Sequence, residues 1–261
     1  MTRRPATMRS VRYGPSAHQE ADLHLPDSPR PPVVCLLHGG FWRMPYGRDQ
    51  MDAVASDLAS RGFAVWNLEY RRLGSPGAEW PAILDDVAAG IDHLARLSGT
   101  DADLDLDRVA TVGHSAGGHL ALWAGGRHRS PIAPAPRVCV RAAVGLAPIA
   151  DLALAYEQRV GGEVVAELLG GTPREFPERC RAGSPMEMLP LGVRQLILHG
   201  TADDAVPVEL SRRYARAAST AGDAVEFIEL PGTGHMEYLD PASEAHAVLA
   251  RWITALLPPA R

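Results

Sequence analysis

The feature that most restricts the fold is a repeated pairing of a short apolar run with a segment of helical periodicity. Runs such as Val33–Leu37 and Val109–Val112 are rich in β-branched residues and lead into glycine-containing loops, as buried strands do. Between such runs, apolar residues recur three and four positions apart, as on one face of a helix. This alternation predicts an α/β fold with a mostly parallel sheet covered by helices on both faces.

The same criteria assign the remaining elements. The other expected strands are Phe63–Leu68, Ala142–Leu146, Gln195–Leu198 and Val225–Leu230. The expected helices are Gln50–Ser60, the periodic segment Ile83–Leu97, the residues after Ser115 to about Trp123, Val208–Ala221 and Ser243–Leu257. The segment Ile149–Pro190 interrupts the alternation with glycine, proline and short helical pieces. It predicts a small cap, residues 149–190, within one domain of residues 1–261.

Composition excludes several classes of function. The formal net charge of −5 comes without a run of like charges, so no nucleic-acid partner is predicted. All 26 residues counted as lysine or arginine are arginine. The lack of a lysine amine excludes a Schiff-base cofactor, a Gly-Lys-Ser/Thr phosphate loop and a serine–lysine dyad. The apolar region Val138–Ala155 contains Arg141 and Asp151 and cannot supply a membrane span.

The cysteines and the first residues bear on the cellular location. Cys35, Cys139 and Cys180 are an odd number at wide spacing, which predicts neither a disulfide framework nor a zinc site. The segment Met1–Ser10 contains three arginines but lacks the apolar stretch of a secretory signal. A reducing cytoplasm and a protein without a metal are therefore expected.

A serine lies in the turn between a predicted strand and the next helix. Gly113-His114-Ser115-Ala116-Gly117 matches the pattern G-x-S-x-G in the required strand–turn–helix context. The glycines permit a tight, strained turn that lifts the hydroxyl above the sheet, and the helix start leaves N–H groups free to face negative charge. Ser115 is thus a candidate nucleophile, the alternative being a glycine-rich turn with an incidental serine. His114 is expected to point away from Ser115 and to pack in the core.

A serine nucleophile needs a base and a carboxylate that orients the base, each on a loop after a later strand. His235 follows the strand Val225–Leu230 in a glycine-flanked loop and is the candidate base. Two acids, Asp203 and Asp204, follow the preceding strand, and Asp151 follows an earlier one. The order of the residues leaves the acid open among these three.

Acyl transfer also requires N–H donors for the tetrahedral oxyanion. The residue after the nucleophile, Ala116, supplies one, and the loop His38–Trp42 after an early strand supplies others. Within that loop Gly40 has no side chain to block a substrate carbonyl. The alternative is that this loop is a tight turn without a binding role.

The sequence resembles the α/β-hydrolases that carry an H-G-G-x-W motif, a group that includes kynurenine formamidases and related small carboxylesterases. The matching segments occur in the family's order: His38–Trp42, Glu69-Tyr70-Arg71, Gly113–Gly118, Asp203 with Val206-Pro207, and His235. The related hormone-sensitive-lipase group has a third glycine where this chain has Phe41. The resemblance implies an α/β-hydrolase fold over most of the chain.

The resemblance also implies roles for single residues. The family pattern H-G-x-x-D-x-x-V-P places the orienting acid at Asp203 and leaves Asp204 facing solvent. The implied oxyanion donors are the backbone N–H groups of Gly40, Phe41 and Ala116. Trp42 is implied to wall the substrate pocket. Glu69 and Arg71 are expected to be structural and to form an ion pair that braces the loop.

The expected chemistry is two-step acyl transfer on a small-molecule acyl substrate, without a metal or an organic cofactor. Neutral His235 acts as the base for Ser115, so activity should rise as the pH passes upward through about 6 to 7. The substrate is expected to be a small carboxylic ester or an aryl-formamide, with a specific kynurenine formamidase as the narrower alternative. A non-catalytic ligand-binding homologue and an acyltransferase are the alternatives from other classes, and the oligomeric state stays open.

Overall fold

The protein is built around an eight-stranded sheet. A computed structural model describes residues 6–100 and 102–259. Its strands, numbered along the chain, are β1 (Thr7–Arg12), β2 (Glu20–Leu25), β3 (Pro32–Leu37), β4 (Ala64–Leu68), β5 (Asp105–His114), β6 (Ala142–Leu146), β7 (Arg194–Gly200) and β8 (Val225–Leu230). Their spatial order is β1-β2-β4-β3-β5-β6-β7-β8. Neighbours from β4 to β8 in this order are parallel, whereas β1 pairs antiparallel with β2, and β2 pairs antiparallel with β4.

Helices cover both faces of the sheet. They are α1 (Asp52–Ser60), α2 (Ala82–Leu97), α3 (Ala116–Gly126), α4 (Leu152–Glu157), α5 (Val164–Leu169), α6 (Pro177–Gly183), α7 (Val208–Thr220) and α8 (Glu244–Leu256). Alternate residues of β3 belong to two separate apolar clusters, Val33 and Leu37 to one and Val34 and Leu36 to the other. Because side chains alternate along a strand, this pattern shows that the central sheet is buried on both faces.

The structure confirms the predicted α/β architecture and each of the six predicted strands, with ends that differ by up to four residues. The prediction missed β1 and β2. Most of β1 is exposed and it carries three polar or charged residues among its last four, so it has no apolar periodicity to detect. The first five residues of the arginine-containing segment Met1–Ser10 lie outside the described residues.

The segment between β6 and β7, where the sequence predicts a cap, contains α4, α5 and α6 and is called the insertion below. It contacts the loop after β3, where the Arg43 guanidinium donates to the Glu167 carboxylate, with Nε 3.0 Å from Oε2. It also contacts α3, because the indole N–H of Trp123 donates to the Ala182 carbonyl at 3.0 Å. None of the helices within the described ranges is long and apolar enough to cross a membrane.

Candidate active site

Ser115 lies at the tip of the turn from β5 into α3. Its backbone adopts φ 56° and ψ −118°, a left-handed conformation that costs about 1–3 kcal/mol for a residue other than glycine. The Ser115 N–H donates to the Leu146 carbonyl at the end of β6 at 2.8 Å, and its carbonyl accepts from the His119 N–H at 3.1 Å. These bonds fix the turn between two central strands and the following helix.

Gly117 allows the turn to approach the end of β3. A Cβ on this residue would overlap the carbonyl groups of Leu37 and His38, which no small movement of a side chain could relieve. The lack of a side chain therefore brings the start of α3 against the loop 38–42. The two loops predicted to hold the nucleophile and the oxyanion donors meet here.

His235 is oriented by a carboxylate. Its Nδ1 lies 2.6 Å from Oδ2 of Asp203, whose side chain is almost fully buried. An ionised carboxylate can only accept, so Nδ1 carries the proton and the neutral ring keeps a free lone pair on Nε2. Asp204 is exposed, as expected. Asp151 caps α4, where its Oδ1 accepts from the Leu154 N–H at 3.0 Å, so it is not the partner of His235.

A second histidine supports Asp203. His199 directs Nε2–H to the Val206 carbonyl at 2.9 Å and lies 3.3 Å from Oδ2 of Asp203, while its Nδ1 accepts from the Ser211 hydroxyl at 2.7 Å. Burial acts to raise the pKa of Asp203, but the hydrogen bonds from His199, His235 and the Val206 N–H outweigh it and hold the pKa well below its ordinary value. Asp203 is therefore ionised throughout the neutral range.

The loop after β3 has three successive residues with positive φ: Gly40 (98°), Phe41 (53°) and Trp42 (55°). Such strain persists only where neighbouring contacts hold it. The Arg43 N–H donates to the Gly40 carbonyl at 3.0 Å, and the Trp42 carbonyl accepts from the Leu73 N–H at 2.7 Å. Gly40 and Phe41 line the same cavity as Ser115, and Ala116 begins α3 directly after it.

The brace of this loop differs from the expected one. Glu69 does not pair with Arg71; its Oε1 lies 2.8 Å from Nε2 of His38, and its Oε2 lies 3.2 Å from Nη1 of Arg72. Arg71 instead forms a two-point ion pair with Asp86, with Nε 2.8 Å from Oδ2 and Nη2 2.6 Å from Oδ1. The loop is therefore braced through His38 and Arg72, and Arg71 takes no part in that contact.

Trp42 has a different place from the one expected. Its indole is fully buried, and its N–H donates to Nδ1 of His119 on α3 at 3.2 Å. His119 in turn directs Nε2–H to the Gly183 carbonyl at 2.8 Å, and burial lowers the pKa of His119 to about 4. The expectation that Trp42 walls the substrate pocket is therefore wrong, because the side chain ties the loop to α3 and the insertion.

His114 is buried, and its side chain contacts the candidate base His235. Its Nε2–H donates to the backbone carbonyl of His235 at 2.8 Å, and the two ring centroids are 4.6 Å apart. Burial and the neighbouring His235 lower the pKa of His114 to about 3, so its ring is neutral at physiological pH. His114 therefore holds the backbone of the loop that carries His235.

Ser115 and His235 line a cavity of about 120 Å³. Its lining residues are Gly40, Phe41, Tyr46, Gln50, His114, Ser115, His235 and Met236. Sequence reasoning missed Tyr46, Gln50 and Met236. Only Met236 had a signal, since it follows His235 directly, whereas Tyr46 and Gln50 lie in a loop and a helical turn without a motif.

A larger cavity of about 440 Å³ lies between residues 73–80 and the insertion and is lined by Trp80, Glu167 and Arg179 among others. It contains neither Ser115 nor His235, so the smaller cavity is the candidate active site. Among the described residues, no group of three or more histidine, cysteine, aspartate or glutamate side chains could hold a metal ion.

The eight-stranded, mostly parallel sheet with a serine at the strand–helix turn and a histidine–aspartate pair on later loops defines the α/β-hydrolase fold. The chain belongs to the BD-FAE family, whose model matches residues 21–217. Among solved structures, a truncated form of carbohydrate esterase from gut microbiota has a TM-score of 0.81 at 22% identity and covers 96% of each chain. This likeness shows the fold.

Two curated relatives are informative. Esterase LipC of Mycobacterium tuberculosis is 30% identical over 94% of this chain and 64% of LipC. Kynurenine formamidase of Danio rerio is 22% identical over 96% of this chain and 82% of the relative. The chain spans 64, 58 and 57% of the length of the first three curated relatives that it matches.

Proposed function

We propose that the protein is a serine hydrolase that cleaves small carboxylic esters through an acyl-enzyme on Ser115. The observation that carries this proposal is the shared cavity of Ser115 and His235, with the His235 ring oriented by Asp203 at 2.6 Å. The similarity to LipC, which is named an esterase, supports ester hydrolysis. The chain's own substrate is a small molecule in this proposal, not a nucleic acid.

In the first half-reaction the Ser115 hydroxyl gives its proton to Nε2 of His235 while Oγ forms a bond to the substrate carbonyl carbon. The N–H groups of Gly40, Phe41 and Ala116 stabilise the oxyanion. The C–O bond to the leaving group then breaks, and the leaving alkoxide takes the proton from His235. Asp203 stays ionised and stabilises the imidazolium that forms between these transfers.

In the second half-reaction water gives a proton to His235 and attacks the acyl carbon, and the collapse of the intermediate returns that proton to Ser115. The products are a carboxylic acid and an alcohol, and no metal or organic cofactor takes part in this scheme. Free cysteines at positions 35, 139 and 180 support a reducing compartment, and we infer that the protein works in the cytoplasm.

The proposal is tested with a fluorophosphonate probe and with 4-nitrophenyl acetate. We expect the probe to label Ser115 and block hydrolysis, and Ser115→Ala to give neither labelling nor turnover. An unlabelled, inactive wild-type protein would instead favour the non-catalytic ligand-binding homologue. Ester products formed only when an alcohol is added would indicate an acyltransferase.

A second candidate substrate is an aryl-formamide. The match to kynurenine formamidase extends over 82% of that relative, a larger share than for LipC, and this coverage favours the candidate. Hydrolysis of N-formylkynurenine and 4-nitrophenyl acetate is compared with Ser115→Ala as the blank. A kcat/KM at least about 100-fold higher for the formamide, some 2.7 kcal/mol of discrimination, would establish formamidase function over ester hydrolysis.

A further inference from the structure

Exposed apolar side chains are concentrated at the mouth of the active-site cavity. Within the described ranges, four large apolar side chains are exposed: Met8, Met44, Tyr46 and Met236. Two of them, Tyr46 (49% exposed) and Met236 (56%), line the cavity that contains Ser115 and His235. Single exposed apolar residues are ordinary, but two that converge on a reaction centre form a surface for a ligand.

Tyr46 packs against the loop after β3 although about half of the residue is exposed. Its side chain packs directly on Gly40, where a Cβ would overlap the ring and its Cβ. Its carbonyl accepts from the guanidinium of Arg72, which is itself buried and also contacts Glu69 at 3.2 Å and Nδ1 of His18 at 2.8 Å. The ring is therefore a preformed apolar surface next to the oxyanion loop, and a ligand need not order it.

Met236 marks the side of the cavity from which the leaving group departs. His235 returns the proton to the leaving group, so that group must lie beside the His235 ring. Met236 is the next residue in the chain and lines the same cavity. Its flexible, polarisable thioether packs well against the edge of an aromatic ring.

The size of the cavity decides which part of a substrate these side chains meet. Its volume of about 120 Å³ is smaller than the roughly 150 Å³ of a protein cavity that binds benzene. A short acyl group fits inside with the reacting carbonyl, whereas a ring on the leaving group must lie at the mouth. We propose that Tyr46 and Met236 form a platform for an aromatic leaving group and so select esters of aromatic alcohols that carry a short acyl chain; this rests on the proposed function.

The test compares kcat/KM for benzyl acetate with kcat/KM for ethyl acetate, because both alcohols are primary and the acyl group is the same. The benzyl-to-ethyl ratio is measured for the wild type, Tyr46→Ala, Tyr46→Phe and Met236→Ala. Met8→Ala on β1 and Met44→Ala, both exposed but outside the cavity lining, are the matched controls. Each alanine variant in the platform should lower the ratio by about 10-fold, and Tyr46→Phe and both controls should keep it.

An unchanged ratio in Met236→Ala and in a folded Tyr46→Ala would overturn the platform while leaving the hydrolase function intact. An equal loss in Met44→Ala would also overturn it, since a general apolar rim would then explain the preference. Faster hydrolysis of an emulsified triglyceride than of dissolved esters, lost equally in Met44→Ala and Tyr46→Ala, would reassign these residues to a lipid surface. Failure of the wild type to hydrolyse either acetate would overturn the proposed function and this proposal together.

Discussion

Nδ1 of His235 lies 2.6 Å from Oδ2 of Asp203, although the two residues are 32 positions apart on loops after different strands. The other oxygen of Asp203 accepts from the N–H groups of Ala205 and Val206 at 2.9 and 2.8 Å. The carboxylate is thus fixed by its own loop before it meets the ring. This geometry sets the tautomer of His235, with the proton on Nδ1.

Replacing Asp203 with asparagine should lower kcat for 4-nitrophenyl acetate by about 10³ to 10⁴, because the amide can stabilise the wrong His235 tautomer and carries no charge for the imidazolium. The matched control is Asp204→Asn, since Asp204 is adjacent but exposed. Steady-state kinetics of both variants check the assignment. Comparable losses in the two variants, or a larger loss in Asp204→Asn, would contradict it.

Removing the Ser115 hydroxyl should abolish turnover but need not harm the fold. Ser115→Ala and Ser115→Gly should both lower kcat by about 10³ to 10⁶. Glycine at position 115 relieves the backbone strain of φ 56°. Because this gain exceeds the cost of the greater entropy of glycine in the unfolded chain, the free energy of unfolding of Ser115→Gly should be about 1 kcal/mol higher than that of Ser115→Ala. Urea unfolding measures the difference, and a less stable glycine variant would contradict the strain.

Gly40 should be intolerant of any side chain. Gly40→Ala introduces a left-handed alanine and a clash with Tyr46, so we expect lower stability and a loss of kcat of about 100-fold as the oxyanion loop moves. Gly222→Ala is the control, because Gly222 has a similar φ of 92° and no atom within 4 Å of the added Cβ. It should lose about 1 kcal/mol of stability and keep full activity. Equal activity of the two variants would contradict the role of Gly40.

Acid should destabilise the protein through two buried histidines. The pKa values of His114 and His119 are lowered to about 3 and about 4, so the unfolded chain binds more protons than the native state below about pH 6.5. The stability that the two neutral rings contribute is fully present above that pH and is lost as the pH falls toward the native pKa values. Each ring lowers the free energy of unfolding by up to about 1.4 kcal/mol per pH unit. His119→Gln should remove the contribution of one histidine to the pH dependence of the free energy of unfolding, as measured by urea unfolding between pH 7 and pH 5. An unchanged slope would show that His119 is not held neutral by burial.

The acyl chain of good substrates should be short. With benzyl alcohol as the common leaving group, kcat/KM should fall by at least about 10-fold from the acetyl to the octanoyl ester, because the cavity of about 120 Å³ cannot enclose eight carbons. A series of acetyl, butyryl and octanoyl esters below their solubility limits checks this. A rate that increases with chain length would show that the acyl group lies elsewhere.

Local sequence determined most of the architecture. Buried strands could be predicted at Val33–Leu37 and Ala142–Leu146, because parallel strands need apolar residues on both faces. The glycines around Ser115 predicted a tight turn, because only small residues permit it. The order of a serine, an acid and a histidine could be predicted for the same reason, since each follows a recognisable strand. The resemblance to the H-G-G-x-W hydrolases, and not the order, selected Asp203 among the acids. The edge strand β1 could not, because most of it faces solvent and lacks an apolar pattern.

Only the tertiary structure decided which side chains meet. Trp42 is a motif residue, yet its indole is buried against His119, and Tyr46, which no motif marks, lies at the mouth of the cavity. Glu69 pairs with His38 and Arg72 rather than with Arg71, two positions away. Contacts of this kind depend on how separate loops pack at one edge of the sheet, and residues distant in the chain set that packing. Periodicity and motifs depend on the local backbone, so they predict which loops carry the candidate triad. They do not predict which side chains line the cavity, because that depends on the tertiary packing.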